Sequence, residues 1–107
     1  MIVYLCAPYT NKDKRIRIQR VRAVNRKAAE LMDQGHIVFS PISHSHPISR
    51  YTNADSCDSG YWTRQDLAFL PACDEVWVYR LQGWDKSRGI KIETEEAERL
   101  GKPVRFI

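Results

Sequence analysis

The stretch from Ile2 to Phe39, IVYLCAPYTNKDKRIRIQRVRAVNRKAAELMDQGHIVF, reads as strand, helix, strand. Ile2-Val3-Tyr4-Leu5-Cys6 is a short apolar run that suits a buried strand. The loop Ala7-Pro8-Tyr9-Thr10-Asn11 follows, with Pro8 as a breaker. The spacing then predicts a long helix from about Asp13 to Gln34. Its apolar stripe is Val21, Val24, Ala28 and Leu31, and Gly35 is a natural C-terminal stop. His36-Ile37-Val38-Phe39 is the second strand. A strand, a helix and a strand in this order imply a parallel pair with a right-handed crossover.

Outward from this unit the alternation continues. Ser40 to Asp58 reads as a long polar loop that holds Pro41, Pro47 and the run Ser43-His44-Ser45-His46. A helix around Trp62 comes next and ends near Pro71. Glu75-Val76-Trp77-Val78-Tyr79 is a third strand, and Gln82-Gly83-Trp84-Asp85-Lys86 is a turn. A helix over Ser87 to Gly101 and a fourth strand, Val104-Arg105-Phe106-Ile107, close the chain. The expectation is one α/β domain, residues 1–107, with a parallel sheet. Ligands of such sheets bind beyond the carboxyl ends of the strands, at the switch point. That edge gathers Tyr4 to Asn11, the histidine segment, and Gly83 to the start of the last helix.

Two carboxylates stand where apolar side chains are expected. The inward stripe of the last helix is Ile90, Glu93, Ala97 and Leu100, spaced three, four, three. A carboxylate on a buried face costs free energy unless it is partnered or faces a working cavity. Gly89 lies one turn earlier, so backbone and ligand can approach closely there. A Glu that offsets the helix dipole, or one that pairs with Arg88, is the plainer alternative. In the Trp62 helix the stripe is Trp62, Asp66, Phe69 and Leu70, and Asp66 repeats the anomaly. A bond from Asp66 to Arg64 or to a backbone turn is the plainer reading here. Two such acids on different helices suit glycosidic-bond chemistry, where one attacks or stabilises and the other serves the leaving group.

Composition narrows the classes. Hydrophobic residues are 43% and charged residues 28%, as in a globular chain. No apolar run approaches the roughly 20 residues that span a membrane. Met1 to Leu5 lacks a basic n-region, so no signal peptide is expected. Cys6, Cys57 and Cys73 show no CxxC spacing, and reduced thiols in a cytoplasmic protein are the expectation. Net charge is +4, concentrated between Lys12 and Lys27 with Asp13 as the sole acid. Nucleic acid or a phosphorylated ligand could use that charge. A solvated helix face is the favoured reading, since aromatics are not interleaved with the basic residues.

GxGxxG and GxxxxGK[ST] are both absent, so neither a dinucleotide fingerprint nor a P-loop is present. His44 and His46 form an HxH pair that could bind metal with Cys57 or Asp58. Nothing supplies a second pair, so no metal and no cofactor are expected. His46-Pro47 more plausibly lines the pocket or caps a turn. Ser87 can cap the last helix and can also offer a hydroxyl to a phosphate at the helix N-terminus.

The strand Val3 to Tyr9, the segment Gln65-Asp66-Leu67, and Ser87 to Glu93 resemble the nucleoside 2-deoxyribosyltransferase-like superfamily. That superfamily includes the deoxynucleoside 5′-monophosphate N-glycosidases. The likeness runs in order along nearly the whole chain and ends at Gly101-Lys102-Pro103-Val104. It is nearest to small members of the DUF1937 type, with their Gly-His-x-Val-Phe-Ser strand, Ser-His-Pro-Ile loop and Gly-Trp turn. The fold this implies is a small three-layer, flavodoxin/Rossmann-like α/β domain of about four strands in the order 2-1-3-4.

The resemblance implies roles. Glu93 matches the nucleophile at C1′ of the sugar. Asp66 matches the acid that contacts and protonates the base, and Tyr4 the tyrosine that orients the nucleophile. Ser87 falls where transferases usually carry Asp, whereas the monophosphate hydrolases carry Ser and bind a 5′-phosphate. Gly89, Tyr9, Pro8 and His46 are the remaining candidates for substrate contact. The chain also departs from the family pattern at its end, where several members carry a later segment that completes a neighbour's site. An N-glycosidase or N-deoxyribosyltransferase-like enzyme is therefore expected, with a nucleoside or nucleotide as its ligand. A catalytically silent nucleotide-binding module and nucleic-acid binding through the basic helix are the alternatives. A homo-oligomer is also expected, because the resemblance implies one and because Trp77, Tyr79 and Trp84 look like more aromatic surface than a small domain buries.

Overall fold

A computed structural model describes residues 1–55 and 57–107. Among them the strands are β1 (Ile2–Cys6), β2 (Ile37–Phe39), β3 (Glu75–Val78) and β4 (Val104–Phe106). The helices are α1 (Lys14–Asp33), α2 (Pro41–Ser49), α3 (Ser59–Leu67) and α4 (Arg88–Arg99), with short 3-10 turns at Leu70–Ala72 and Trp84–Lys86. The sheet is parallel throughout and ordered β2-β1-β3-β4. The expected α/β class and strand order are both present.

Strand alternation builds the three layers. On β1, Val3 and Leu5 face one side and pack with Val24, Ala28 and Leu31 of α1 and with Trp77. Tyr4 and Cys6 face the other side and pack with Val76, Val78, Leu70, and Ile90 and Ala97 of α4. The predicted stripe of α1 is thus its buried face.

Local signals fix where α1 starts and stops. The Asp13 side chain caps it, accepting from Arg15 N at 2.9 Å. At the other end Gly35 N donates to Met32 O and His36 N to Leu31 O, a Schellman closure that needs the left-handed φ of 95° at Gly35.

One stretch departs from the sequence expectation. Ser40 to Asp58 is not a continuous loop, because Pro41–Ser49 is helical. Pro41 sits at the first helical position, where a missing N–H costs nothing and the fixed φ helps. Ile42 packs into the cluster on the α1 side of the sheet, which holds the short helix in place. Ser56, within the same stretch, lies outside the described residues.

The aromatic surface is also smaller than expected. Trp77 is only 8% exposed; its ring meets His36 edge-on at 4.9 Å, and its Nε1 donates to Glu75. Tyr79 and Trp84 are half-buried, so these three residues do not by themselves argue for a partner subunit. No helix among the described residues is long and apolar enough to cross a membrane.

Candidate active site

The sheet order reverses between β1 and β3, and a cavity of about 490 Å³ opens there, beyond the carboxyl ends of the strands. Its walls come from the loop after β1, from α2 and α3, and from the segment between β3 and α4. Glu93, Asp66, Ser87, Gly89, Tyr9, Pro8 and His46 all line it. Tyr4 does not. It lies fully buried behind Glu93 and donates its hydroxyl to Glu93 Oε2 at 2.6 Å.

The helix stripes explain why the acids meet. In α4, Ile90 and Ala97 are buried under β3, so Glu93 between them is carried to the cavity floor. Neither plainer reading of Glu93 holds: it lies beyond the first turn of α4, which carries no acid, and its described hydrogen bond comes from Tyr4, not from Arg88. In α3, Asp66 projects from a half-buried position beside Trp62, and its Oδ1 accepts from the Ser45 hydroxyl of α2 at 3.3 Å. Phe69 departs from the predicted stripe. It lies beyond the end of α3, 43% exposed, stacked on Phe39 at 4.8 Å.

Burial sets the charge states. It pushes the Glu93 carboxyl up to about 8; the hydrogen bond from Tyr4 opposes the rise, Asp66 adds to it, and a hydrogen bond from Cys6 also opposes it. Burial likewise raises Asp66 to about 6, against the pull of Ser45 and of His44. Tyr4 is raised by burial and by Glu93, so it remains a neutral phenol and a pure donor towards the carboxylate. Cys6 is raised well above its ordinary value by burial first and by Glu93 next, and stays a thiol. The cavity therefore holds two acids whose pKa values are both raised, Glu93 to about 8 and Asp66 to about 6, so that they bracket neutral pH, the property expected of groups that trade a proton or a covalent bond.

The substrate-facing candidates divide between two ends. Ser87 caps α4, accepting from Ile90 N at 3.2 Å, and its hydroxyl also faces the cavity. A methyl group on Gly89 would stand 3.8 Å from Ser87 Oγ and 4.0 Å from Glu93 Oε1, so this glycine keeps the space between cap and carboxylate open. At the other end the Tyr9 hydroxyl meets His46 Nδ1 at 3.0 Å. Burial first, then Arg50, Arg17 and Lys14, lowers the His46 pKa and keeps the ring neutral. His44 turns elsewhere, its ring against Phe39 and Phe69, so the HxH pair does not converge. Among the described residues no three His, Cys, Asp or Glu side chains are grouped to hold a metal ion.

Sequence reasoning missed two residues of this site. Cys6 was legible in principle, two positions from Tyr4 on the same face of β1. Arg20 was not, because it is one of many basic residues on α1 and nothing in the pattern distinguishes it. It reaches the cavity wall and bonds to three loop carbonyls.

Fold and site together define a parallel α/β domain with a two-carboxylate pocket at its switch point. The chain belongs to the DUF1937 family, described as a domain of unknown function, whose model matches residues 1–107. Its fold is similar to that of a 2-deoxyribosyltransferase from the psychrotolerant bacterium Bacillus psychrosaccharolyticus, with a TM-score of 0.66. The two are 24% identical, and the match covers 99% of this chain and 71% of that one, a likeness of fold. No curated protein matches the chain in sequence.

Proposed function

We propose that the domain cleaves or transfers the N-glycosidic bond of a nucleoside or nucleoside 5′-monophosphate. The observation that carries this reading is the pairing of Glu93, held by Tyr4 at 2.6 Å, with Asp66 across one cavity. Breaking the bond between C1′ and the base builds positive charge on the sugar. Glu93, once ionised, stabilises that charge or traps C1′ as a covalent ester. Asp66, protonated, gives its proton to the departing base so that the base leaves neutral. Water or a second base then attacks C1′ and gives its proton to the Asp66 carboxylate, which regains its acid form, while the bond from C1′ to Glu93 breaks and Glu93 is released as a carboxylate. Exclusion of water favours transfer and its admission favours hydrolysis. The fold shared with a protein described as a biocatalyst for nucleoside synthesis is consistent with this chemistry.

Ser87 supports a phosphorylated substrate. It sits at the N-terminus of a helix of 12 residues, where free N–H groups and the dipole favour an anion. A 5′-monophosphate is expected to bind more tightly than its nucleoside by about 1–3 kcal/mol from charge-assisted hydrogen bonds. The test is release of free base from a panel of nucleosides and 5′-monophosphates, with and without an acceptor base. No release from any member would overturn the enzymatic reading. Binding without turnover is the second reading, favoured by a Glu93 pKa of about 8, which leaves the free carboxyl protonated at neutral pH. For the nucleic-acid alternative, Arg17 and Arg20 turn to loop carbonyls, while Lys12, Lys14, Arg15, Arg22 and Arg26 remain exposed.

A further inference from the structure

Arg20 is half-buried on the cavity wall, and among the described residues it forms no ion pair. Its guanidinium instead spans two loops. Nη1 donates to Thr10 O at 3.0 Å and Tyr9 O at 3.4 Å, both after β1. Nη2 donates to Gln82 O at 3.3 Å, after β3. The adjoining Gly83 is fitted to this contact. Its φ is 94°, and a methyl group there would lie 2.6 Å from Arg20 Nη2. Arg17, one turn earlier, holds Asn11 O at 2.6 Å, so the first loop is tied twice to α1.

We propose that Arg20 is a positioning residue that ties the loop after β1 to the loop after β3 and so holds the mouth of the cavity in its ligand-ready shape. These two loops are not joined by a strand pair at that point. The β1–β3 ladder ends at Cys6 and Val78, with Tyr79 N to Cys6 O as the last backbone bond described between them. Beyond it the guanidinium is the tie. The loop after β1 carries Pro8 and Tyr9, which with His46 form one wall, and the loop after β3 leads through the Trp84–Lys86 turn to Ser87. One planar side chain with donors on separate nitrogens can hold both at a fixed distance. A lysine keeps the charge but gathers its donors on a single atom, and glutamine keeps neither charge nor reach.

The deduction about the loops stands on geometry alone, and its consequence for turnover rests on the functional reading above. The experiment therefore has two readouts on wild type, Arg20→Lys and Arg20→Gln. In amide hydrogen exchange, the bonded amides of the two loops, Asp13 N on Asn11 Oδ1 and Trp84 N on Leu81 O, should exchange about tenfold faster in both variants, the loss of one charge-assisted bond. Amides of β1 and β3 should be unchanged. Unchanged loops in Arg20→Gln, wild-type behaviour in Arg20→Lys, or faster exchange throughout the sheet would each overturn the proposal. In base release, KM should rise by about tenfold with kcat held within about twofold, because Glu93 and Asp66 are untouched. An equal fall in kcat would overturn it too. Absence of base release in the wild type refutes the functional reading and leaves the exchange test in force.

Discussion

The two faces of β1 are built on opposite principles. Val3 and Leu5 look towards α1 and meet Val24, Ala28 and Leu31, a wholly apolar contact. Tyr4 and Cys6, alternating with them, look towards α4 and meet a carboxylate. All four are buried to within 1% of completely, so burial alone does not separate them. What separates them is the consequence of burial. On the α1 face it stabilises the fold, and on the α4 face it holds a carboxyl that would ionise more readily in water. One five-residue strand thus supplies both the core and the floor of the site. Breaking each face separately should therefore give opposite results.

The largest effect is expected on the α4 face. Glu93→Gln keeps volume and a hydrogen-bond acceptor for Tyr4 but cannot become an anion. On the proposed chemistry, base release should fall by about three orders of magnitude or more. Stability should move the other way at alkaline pH. The folded pKa of Glu93, about 8, exceeds the ordinary 4.5, so the folded state holds the proton more tightly than the unfolded chain. The stability linked to that proton is complete below the ordinary value and is lost as pH rises through about 8. Glutamine has no proton to lose. The variant should thus melt higher than wild type at pH above 8 and nearly together with it at acidic pH. Full activity in the variant would sink the nucleophile assignment, and a lower melting temperature at every pH would make Glu93 a structural residue.

On the α1 face the order of effects inverts. Leu5→Ala removes a fully buried side chain and should destabilise by about 2–5 kcal/mol. Base release per folded molecule, measured well below the melting transition, should be unchanged. If turnover falls as steeply as in Glu93→Gln, the two faces are not functionally distinct.

How much of this was legible in the sequence differs along the chain for physical reasons. Glu93 was visible because helical periodicity is strong in α4, with Ile90 and Ala97 buried, and an acid within that apolar stripe breaks it; Asp66 was reached through a weaker pattern, since of its predicted stripe only Trp62 shares α3 with it. The limits of α1 were visible because Asp13 and Gly35 act locally, through the backbone of their own helix. Helix α2 was hidden. Its run Pro41 to Ser49 has loop composition, and its helicity comes from contacts with α1 and β1 that no local pattern records. The position of Arg20 was hidden for a related reason. Its three bonds join residues 10, 11 and 62 positions away in the chain, and composition cannot distinguish it from its exposed neighbours. The Tyr4 contact, spanning 89 positions, was reached only through the family resemblance.

The smallest and most diagnostic break of the comparison is Tyr4→Phe, which removes one hydroxyl from the α4 face and leaves its packing intact. The proposed chemistry needs Glu93 ionised and Asp66 protonated, although their pKa values of about 8 and about 6 favour the reverse. The reactive form is then a minority form, most populated near the midpoint of the two. The profile of kcat/KM for the free protein should be bell-shaped, with limbs at about 6 and about 8 that belong to the pair jointly. The Tyr4 hydrogen bond lowers the Glu93 pKa, so its loss should raise that value further. The alkaline limb should move upward, and the maximum should fall by about tenfold for each unit of that movement. The acid limb should move little, since among the described residues the Tyr4 hydroxyl bonds to Glu93 and Asp66 bonds to Ser45. A melting temperature within a few degrees of wild type would accompany this, because the phenyl ring still fills the core. A fall in activity with both limbs unmoved would mean that the hydroxyl does no more than place the side chain, and that the electrostatic difference between the two faces of β1 is not what sets the rate.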